Sequence, residues 1–360
     1  MLVTLPVLSQ EAPQPPSQLA NLLGSDADTG FAKALQPREF VFPADHGPHP
    51  EFRNEWWYVT GNLDGEAGER FGYELTFFRF ALAPDSADSD SDWRTNQVYI
   101  AHLAVTDAGD ERFFVAQRYS RGALGLAGAR AEPFGVWIDD WRMEQEQVGW
   151  QLEAHDDEFG IDVNLVALRQ PVLNGVDGLS QKSAAPGNAS YYYSITRLLT
   201  NGALRIGERT FKVSGVSWLD REWSTSALAD DQVGWDWFAL QLADGRDLMF
   251  YSLRKKDGSQ DAASAGTFVN PDGSVTHLGP DDLVIDVLDT WESPEGGAYP
   301  SRWQLSLPGE DLEMTVTPVI PNQELFTTVR YWEGAVDVAG AYRGQPFDGR
   351  GYVELTGYAE

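Results

Sequence analysis

The sequence contains no cysteine among its 360 residues. That absence excludes disulfide bonds, thiolate nucleophiles and cysteine-ligated zinc. Basic residues are also scarce, since 26 Lys and Arg stand against 55 Asp and Glu, and the net charge is −29. Such a charge repels phosphate groups, so we expect neither nucleic-acid binding nor adhesion to anionic lipids. No apolar run approaches the roughly 20 residues of a membrane helix, so we expect no stable membrane insertion.

The signatures of common enzyme classes are missing as well. The sequence has no GxSxG motif, no phosphate-binding loop and no dinucleotide-binding fingerprint. Among the five histidines, only His46 and His49 lie close together, in a proline-flanked loop. The alternating aspartates of residues 84–92 lack the glycine and the distal glutamate of a calcium loop. We therefore predict no metal site and no cofactor.

What the sequence has in abundance is aromatic side chains: 13 Trp, 13 Tyr and 18 Phe. Large aromatic residues favour strands, and from Phe40 onward the apolar pattern has a period of two. In the segment RFGYELTFF, one face would carry Phe71, Tyr73, Leu75 and Phe77. Turn-forming segments such as DGEAGE and NPDGS separate many short strands of this kind. The pattern predicts an all-β protein built as a sandwich or barrel.

A loose internal repeat predicts two domains. A Trp-rich strand, a Gly-containing turn and a return strand that ends in arginine occur first between Trp56 and Arg79. The same order recurs between Trp235 and Arg254. The first 36 residues are rich in proline and read as an arm. We therefore expect an N-terminal arm of residues 1–36, a first domain of residues 37–203 and a second domain of residues 204–360.

Several motifs resemble one known family. The segments HPEFRNEWWYVTGNL, GYELTFFR, AHLAVTD, SYYYSITRLL, GVSWLDREWS and GRGYVELTGY span residues 49–358. Together they are similar to the AttH-type lipocalin-like family, which is related to bacterial carotenoid hydratases and fungal lipocalin-like cyclases. The resemblance implies two tandem lipocalin-like (calycin) antiparallel β-barrels with space for an apolar molecule. It also implies export to the periplasm or medium. The apolar start MLVTLPVLSQEA is too short for a complete signal peptide, so we expect the signal peptide to be absent or trimmed in this sequence.

The resemblance further implies a tryptophan on the first strand of each barrel with an arginine packed across its ring. A guanidinium stacks on indole through cation–π and dispersion forces. The candidate indoles are Trp56 or Trp57 and Trp235 or Trp237, and the candidate late-strand arginines are Arg197 and Arg350. Arg79 and Arg254, at the ends of the return strands, complete this structural set. The alternative is that one or more of these indoles line the ligand cavity.

A small barrel has room for one small ligand, so residues on these strands are candidates for its binding site. The expected ligand-binding residues are Trp57, Tyr58, Tyr73, His102, Trp223, Trp235, Trp237 and Tyr251. His102 lies on the same face of its strand as Ile100 and Ala104. A single strand histidine of this kind serves more often as a hydrogen-bonded structural residue than as a catalyst.

The segment WLDREW carries the candidate catalytic residues Asp220 and Glu222. On a strand these two acids share one face, whereas Arg221 and Trp223 share the other. If the acids face a cavity, their repulsion keeps one protonated and able to serve as a general acid. If they face the other barrel, Arg79 or Arg254 are natural counter-ions. The related carotenoid hydratases carry histidine at the position of Arg221, and arginine exchanges no proton at neutral pH, so we do not expect that specific activity here.

These observations predict that the protein binds, and transports or modifies, a lipid-like or isoprenoid molecule in lipid metabolism. The first alternative is an enzyme, a hydratase or cyclase that acts on an apolar polyene by acid catalysis without a cofactor. The second alternative is a structural or attachment-related envelope protein. An ionisable Asp220 or Glu222 in an enclosed apolar cavity would favour the enzyme, and the lack of any cavity would favour the structural role. The sequence predicts no particular oligomeric state.

Overall fold

The computed structural model describes residues 29–84, 91–225 and 228–359. Most of the expected N-terminal arm and residues 85–90 of the acidic segment lie outside the described residues. Within these ranges the chain is almost entirely β-structure, with two single-turn 3₁₀ helices at Ala44–His46 and Pro308–Glu310 and no α-helix. No helix in the described ranges is long and apolar enough to cross a membrane.

The first sheet has thirteen antiparallel strands and curls into a nearly closed barrel. Its strands are β1 (Asn54–Gly65), β2 (Arg70–Ala81), β3 (Gln97–Asp107), β4 (Arg112–Arg121), β5 (Ala127–Arg130), β6 (Gly135–Ile138), β7 (Trp141–Gln145), β8 (Trp150–His155), β9 (Phe159–Ala167), β10 (Val172–Leu173), β11 (Leu179–Gln181), β12 (Ala189–Ile206) and β13 (Arg209–Ser224). Their order is β4-β3-β2-β1-β13-β12-β9-β8-β7-β6-β5, and β10 and β11 also pair with β12.

The second sheet has ten antiparallel strands and forms a half-barrel. Its strands are β14 (Gln232–Leu242), β15 (Asp247–Lys255), β16 (Ala265–Val269), β17 (Val275–Leu278), β18 (Val284–Glu292), β19 (Ala298–Leu307), β20 (Leu312–Pro318), β21 (Glu324–Phe326), β22 (Arg330–Tyr342) and β23 (Gln345–Thr356). Their order is β17-β16-β15-β14-β23-β22-β20-β19-β18, and β21 pairs with β22. The expected all-β architecture of two tandem lipocalin-like units is confirmed.

The division between the two sheets differs from the expected boundary at residues 203 and 204. That point lies inside β12, just before its hairpin to β13. Strand β13 pairs with β12 on one side and with β1 on the other, from Asn54 opposite Ser224 to Gly65 opposite Val213. The chain therefore leaves the first sheet after Ser224. The spacing of the repeat could not reveal this, because the pairing of β13 with β1 joins segments that are far apart in the sequence, from Asn54 with Ser224 to Gly65 with Val213.

The strand alternation builds three buried layers. One face of β1, with Trp57 and Val59, lies inside the first barrel, and one face of β14, with Phe238 and Leu240, lies inside the second sheet. The opposite faces of the two sheets pack against each other through a third cluster. Its largest members are Tyr58, Tyr192, Trp218, Trp237, Tyr251 and Tyr352. As a result, these strands are buried on both faces.

Candidate functional site

A cavity of about 140 Å³ lies between the two sheets rather than inside either one. Its lining comes from strands β1, β2, β3, β12 and β13 of the first sheet and from β14, β15, β22 and β23 of the second. Most of the wall is aromatic or aliphatic, including Trp56, Tyr58, Phe78, Phe80, Ile100, Tyr192, Trp235, Trp237, Tyr251 and Leu253. This composition is typical of a binding site for an apolar small molecule.

The aromatic wall is held rigid by contacts between its own rings. The edge of Tyr58 meets Trp237 at 5.1 Å between centroids with an interplanar angle of 85°. The indole Nε1 of Trp237 donates a hydrogen bond to the hydroxyl of Tyr192 at 3.2 Å. Edge-to-face pairs of this kind add stability beyond burial alone. These contacts therefore fix the positions of the rings around the cavity.

Asp220 lies in this wall, and its carboxyl group accepts hydrogen bonds but forms no ion pair with any described residue. The Ser194 hydroxyl and the Trp218 indole each donate to Oδ1 at 2.6 Å, and the Tyr192 hydroxyl donates to Oδ2. Burial raises the pKa of Asp220 to about 6, against the lowering effect of these hydrogen bonds, and the nearby Glu222 adds to the rise. Asp220 can therefore exchange a proton near neutral pH.

Glu222, two residues along the same face, has a cation. Lys182, in the loop between β11 and β12, places its Nζ 3.0 Å from Oε1 of Glu222. The same ammonium lies 4.1 Å from the ring centroid of Tyr251 and 5.1 Å from that of Tyr192. Burial opposes the charge, but Glu222 and Tyr251 raise the pKa of Lys182 above its ordinary value. Lys182 is thus a fixed ammonium paired with Glu222.

A second group of acids reaches the cavity from the second sheet. Glu333 and Glu354 lie directly opposite each other on β22 and β23, where like charges repel. The Tyr58 hydroxyl donates to Oε1 of Glu333. Burial, together with Glu354 and Glu74, raises the pKa of Glu333 well above its ordinary value. Burial likewise raises the pKa of Glu354 to about 7, so both acids hold a proton more tightly than an exposed glutamate does.

His102 lines the cavity, but its ring nitrogens are already engaged. Its Nδ1 lies 2.7 Å from the Tyr331 hydroxyl, and the amide of Gln117 donates to its Nε2 at 2.8 Å. Burial lowers the pKa of His102 to about 3, so the ring is neutral. This arrangement fits a residue that holds Tyr331 in place.

A cluster of buried charges closes one end of the first barrel. Glu55 bonds to the guanidinium groups of both Arg79 and Arg221. Arg221 in turn lies over the ring of Trp57, 4.0 Å from its centroid. Although burial opposes ionisation, the two arginines keep the pKa of Glu55 well below its usual range. The arginine on the first-strand indole is therefore Arg221, and our expectation of Arg197 or Arg350 is corrected.

The other expected arginines have different partners. Arg197 bonds to Asp247 at 2.8 Å and so joins the two sheets, and Arg350 bonds to Asp64 at 2.8 Å near the surface. Arg254 bonds to Asp236 at 2.9 Å inside the second sheet. Arg79 and Arg254 pair with acids on strand faces that point away from the cavity. Neither arginine is therefore the counter-ion that we had considered for Asp220 or Glu222.

The structure divides the expected ligand-binding residues into two groups. Residues that line the cavity are Tyr58, His102, Trp235, Trp237 and Tyr251, together with Trp56, Asp220 and Glu222. Residues that point into the first barrel instead are Trp57, Tyr73 and Trp223. Sequence reasoning did not identify Lys182, Glu333 or Glu354. The sequence signal that could have identified Glu354 is its position between two apolar residues in a strand. However, the strand face that carries Glu354 is buried only because the two sheets pack together.

Comparisons with known proteins fit this architecture. The AttH-like family model matches residues 33–358. The chain belongs to the AttH-like family. The crystal structure of an AttH from Nitrosomonas europaea is 33% identical, covers 91% of this chain and 100% of its own, and has a TM-score of 0.81.

More distant structures share the fold of this AttH-like chain. Kievitone hydratase from Nectria haematococca is 15% identical with a TM-score of 0.68, covering 91% of this chain and 98% of its own. CghA in complex with Sch210972 is 11% identical with a TM-score of 0.57, covering 92% of this chain and 97% of its own. A comparison with curated proteins gives no match. In the described ranges no group of three or more His, Asp or Glu residues is arranged to hold a metal ion.

Proposed function

We propose that this AttH-like protein binds an apolar small molecule of lipid or isoprenoid type in the cavity between its two sheets. The observation that carries the proposal is the wall itself, in which fixed aromatic rings surround a few polar groups. Pockets of this composition bury most of a ligand's surface and use the polar groups to orient it. The presence of the cavity favours this function over a structural or attachment-related role.

Binding can be tested with the neutral apolar dye Nile red. We expect a saturable rise in dye fluorescence that farnesol reverses by competition. The variant Leu253→Trp fills the cavity, because Leu253 lines it and is only 3% exposed. The matched control is Leu199→Trp, whose side chain is 42% exposed on β12. Loss of binding in Leu253→Trp alone supports the proposal, whereas unsaturable binding or equal binding by both variants contradicts it.

A second candidate function is acid catalysis on an alkene in the same cavity. It is favoured by Asp220, a buried carboxyl group whose pKa burial raises to about 6 and which forms no ion pair among the described residues. In such a hydration the carboxyl proton adds to one alkene carbon and water adds to the other. The proton that the water loses then returns to the carboxylate. The shared fold with kievitone hydratase agrees with this function but does not establish it.

Catalysis can be tested by incubating the protein with isoprenoid alkenes in ¹⁸O-labelled water and measuring product masses. Hydration incorporates one labelled oxygen, and cyclisation gives a new isomer without label. We expect Asp220→Asn to abolish either product, because asparagine has the same shape and no acidic proton. The control Asp286→Asn alters an exposed strand position of the second sheet. Product formation that survives in Asp220→Asn would remove Asp220 from the reaction.

A further inference from the structure

The polar part of the cavity wall has a large excess of acids. Asp220, Glu222, Glu333 and Glu354 all line the cavity, and among the described residues that line it Lys182 is the only lysine or arginine. Lys182 is already bonded to Glu222. Among the described residues, no ion pair joins Asp220, Glu333 or Glu354 to a cation. A ligand that enters this space therefore meets acids that have no positive partner.

Glu333 is the acid best placed to meet the ligand. Its side chain is fully buried, it lines the cavity, and its Oε1 is occupied by the Tyr58 hydroxyl. Its Oε2 has no hydrogen-bond partner within the described part of the chain. A buried polar oxygen without a hydrogen-bond partner lowers the stability of the folded protein until it gains such a partner. The opposite residue, Glu354, supplies a second carboxyl group to the same place.

The surrounding rings complement these acids. The indoles of Trp56, Trp235 and Trp237 line the same cavity. The face of an indole attracts a positive charge, and the attraction is strongest where water is excluded. A carboxylate head group gains nothing from such rings and would be repelled by the acids. Aromatic faces beside unpaired carboxyl groups form the chemistry of a site for an ammonium group.

We propose that the cavity selects amphiphiles with a protonated amine head over those with a carboxylate head. Glu333 and Glu354 hold the ammonium group, and the apolar chain lies along the aromatic wall. This inference rests on the proposed binding function and names its ligand class.

The test compares three ligands with one chain length: decylamine, decanol and decanoate. Each competes with Nile red at neutral pH and physiological salt, where charges beyond about 8 Å are screened. We expect decylamine to bind about tenfold more tightly than decanoate, with decanol between them. In Glu333→Gln the ratio of decylamine to decanol affinity should fall to about one, since the carboxyl group that pairs with the ammonium is gone.

Two further variants keep the test decisive. Glu354→Gln should lower the same ratio, and it replaces Glu333→Gln in the test if that variant does not fold. Glu313→Gln removes an exposed glutamate from β20 of the same sheet, so it changes the net charge equally and should leave the ratio unchanged. Decanoate binding as tightly as decylamine would overturn the ligand class while leaving the binding function intact. An equal effect of Glu313→Gln would show that overall charge, rather than this site, attracts the amine. Failure of Nile red itself to bind would refute the binding function.

Discussion

Replacing Asp220 with asparagine should make the protein more stable at neutral pH. Asp220 is 3% exposed, and within the described part of the chain its carboxyl group accepts hydrogen bonds from Ser194, Trp218 and Tyr192. An asparagine can keep the first two of these contacts through its carbonyl oxygen and donate its amide to the Tyr192 oxygen. It therefore copies the protonated form of the aspartate. The variant should behave as a wild type that never loses this proton.

The magnitude follows from the pKa. Burial raises the pKa of Asp220 from 3.8 to about 6. A difference of about two units, at 1.36 kcal/mol each, corresponds to about 3 kcal/mol. Because the folded-state pKa is the higher one, this stabilisation is complete below about pH 4 and is lost as the pH rises through about 6. The free energy of unfolding of the wild type should therefore fall relative to Asp220→Asn over this range.

The assay is urea unfolding, followed by tryptophan fluorescence at several pH values between about 4 and 7.5. The exposed substitution Asp286→Asn is the control, and its unfolding curve should follow the wild type at each pH. The reasoning fails if Asp220→Asn is less stable than the wild type at neutral pH with an unchanged pH slope. That result would mean that the carboxylate is ionised and acts as a strut between the sheets.

Two substitutions test the supporting structure. Arg221→Met should lower the free energy of unfolding by about 3–5 kcal/mol, because it removes a partner of the buried Glu55 carboxylate. Arg350→Met breaks a partly exposed ion pair and should lower it by at most about 1 kcal/mol. Urea unfolding of both variants measures the difference, and equal losses would contradict the reasoning. Gly72→Ala would place a Cβ atom 2.6 Å from Ala335 of the second sheet, and such overpacking should cost about 1–3 kcal/mol. An unchanged melting temperature would show that the interface between the two sheets can rearrange to accommodate the added Cβ atom.

The two-residue period was sufficient to predict which face each side chain occupies. It separated Asp220 and Glu222 from Arg221 and Trp223, and the structure places the first pair in the cavity wall and the second inside the first barrel. Such separation is a local property of a strand, since successive side chains point in opposite directions. The all-β architecture followed from the same pattern.

The partners of those side chains could not be predicted in the same way. Arg221 lies over Trp57 because β13 pairs with β1, and that register is decided by how the barrel closes. Glu354 faces the cavity because a second sheet covers the outer face of its own sheet. An isolated antiparallel sheet commonly exposes one face to water. From the sequence alone, a glutamate on that face is therefore predicted to be exposed to solvent.

The charges on the strands around the cavity are segregated by strand face. Each sheet turns an arginine inward, where it pairs with an acid on the first strand of its own sheet: Arg79 with Glu55, and Arg254 with Asp236.

Arg221 points inward in the same way, while its neighbours Asp220 and Glu222 point outward. On β22 and β23 the outward positions include Glu333 and Glu354. These three arginines thus lie in the interiors of the sheets, whereas Asp220, Glu222, Glu333 and Glu354 collect in the cavity between them. Since a buried acid without an ion pair either keeps its proton or binds a positive group, the same packing supports both proposals, the acid catalyst and the amine site.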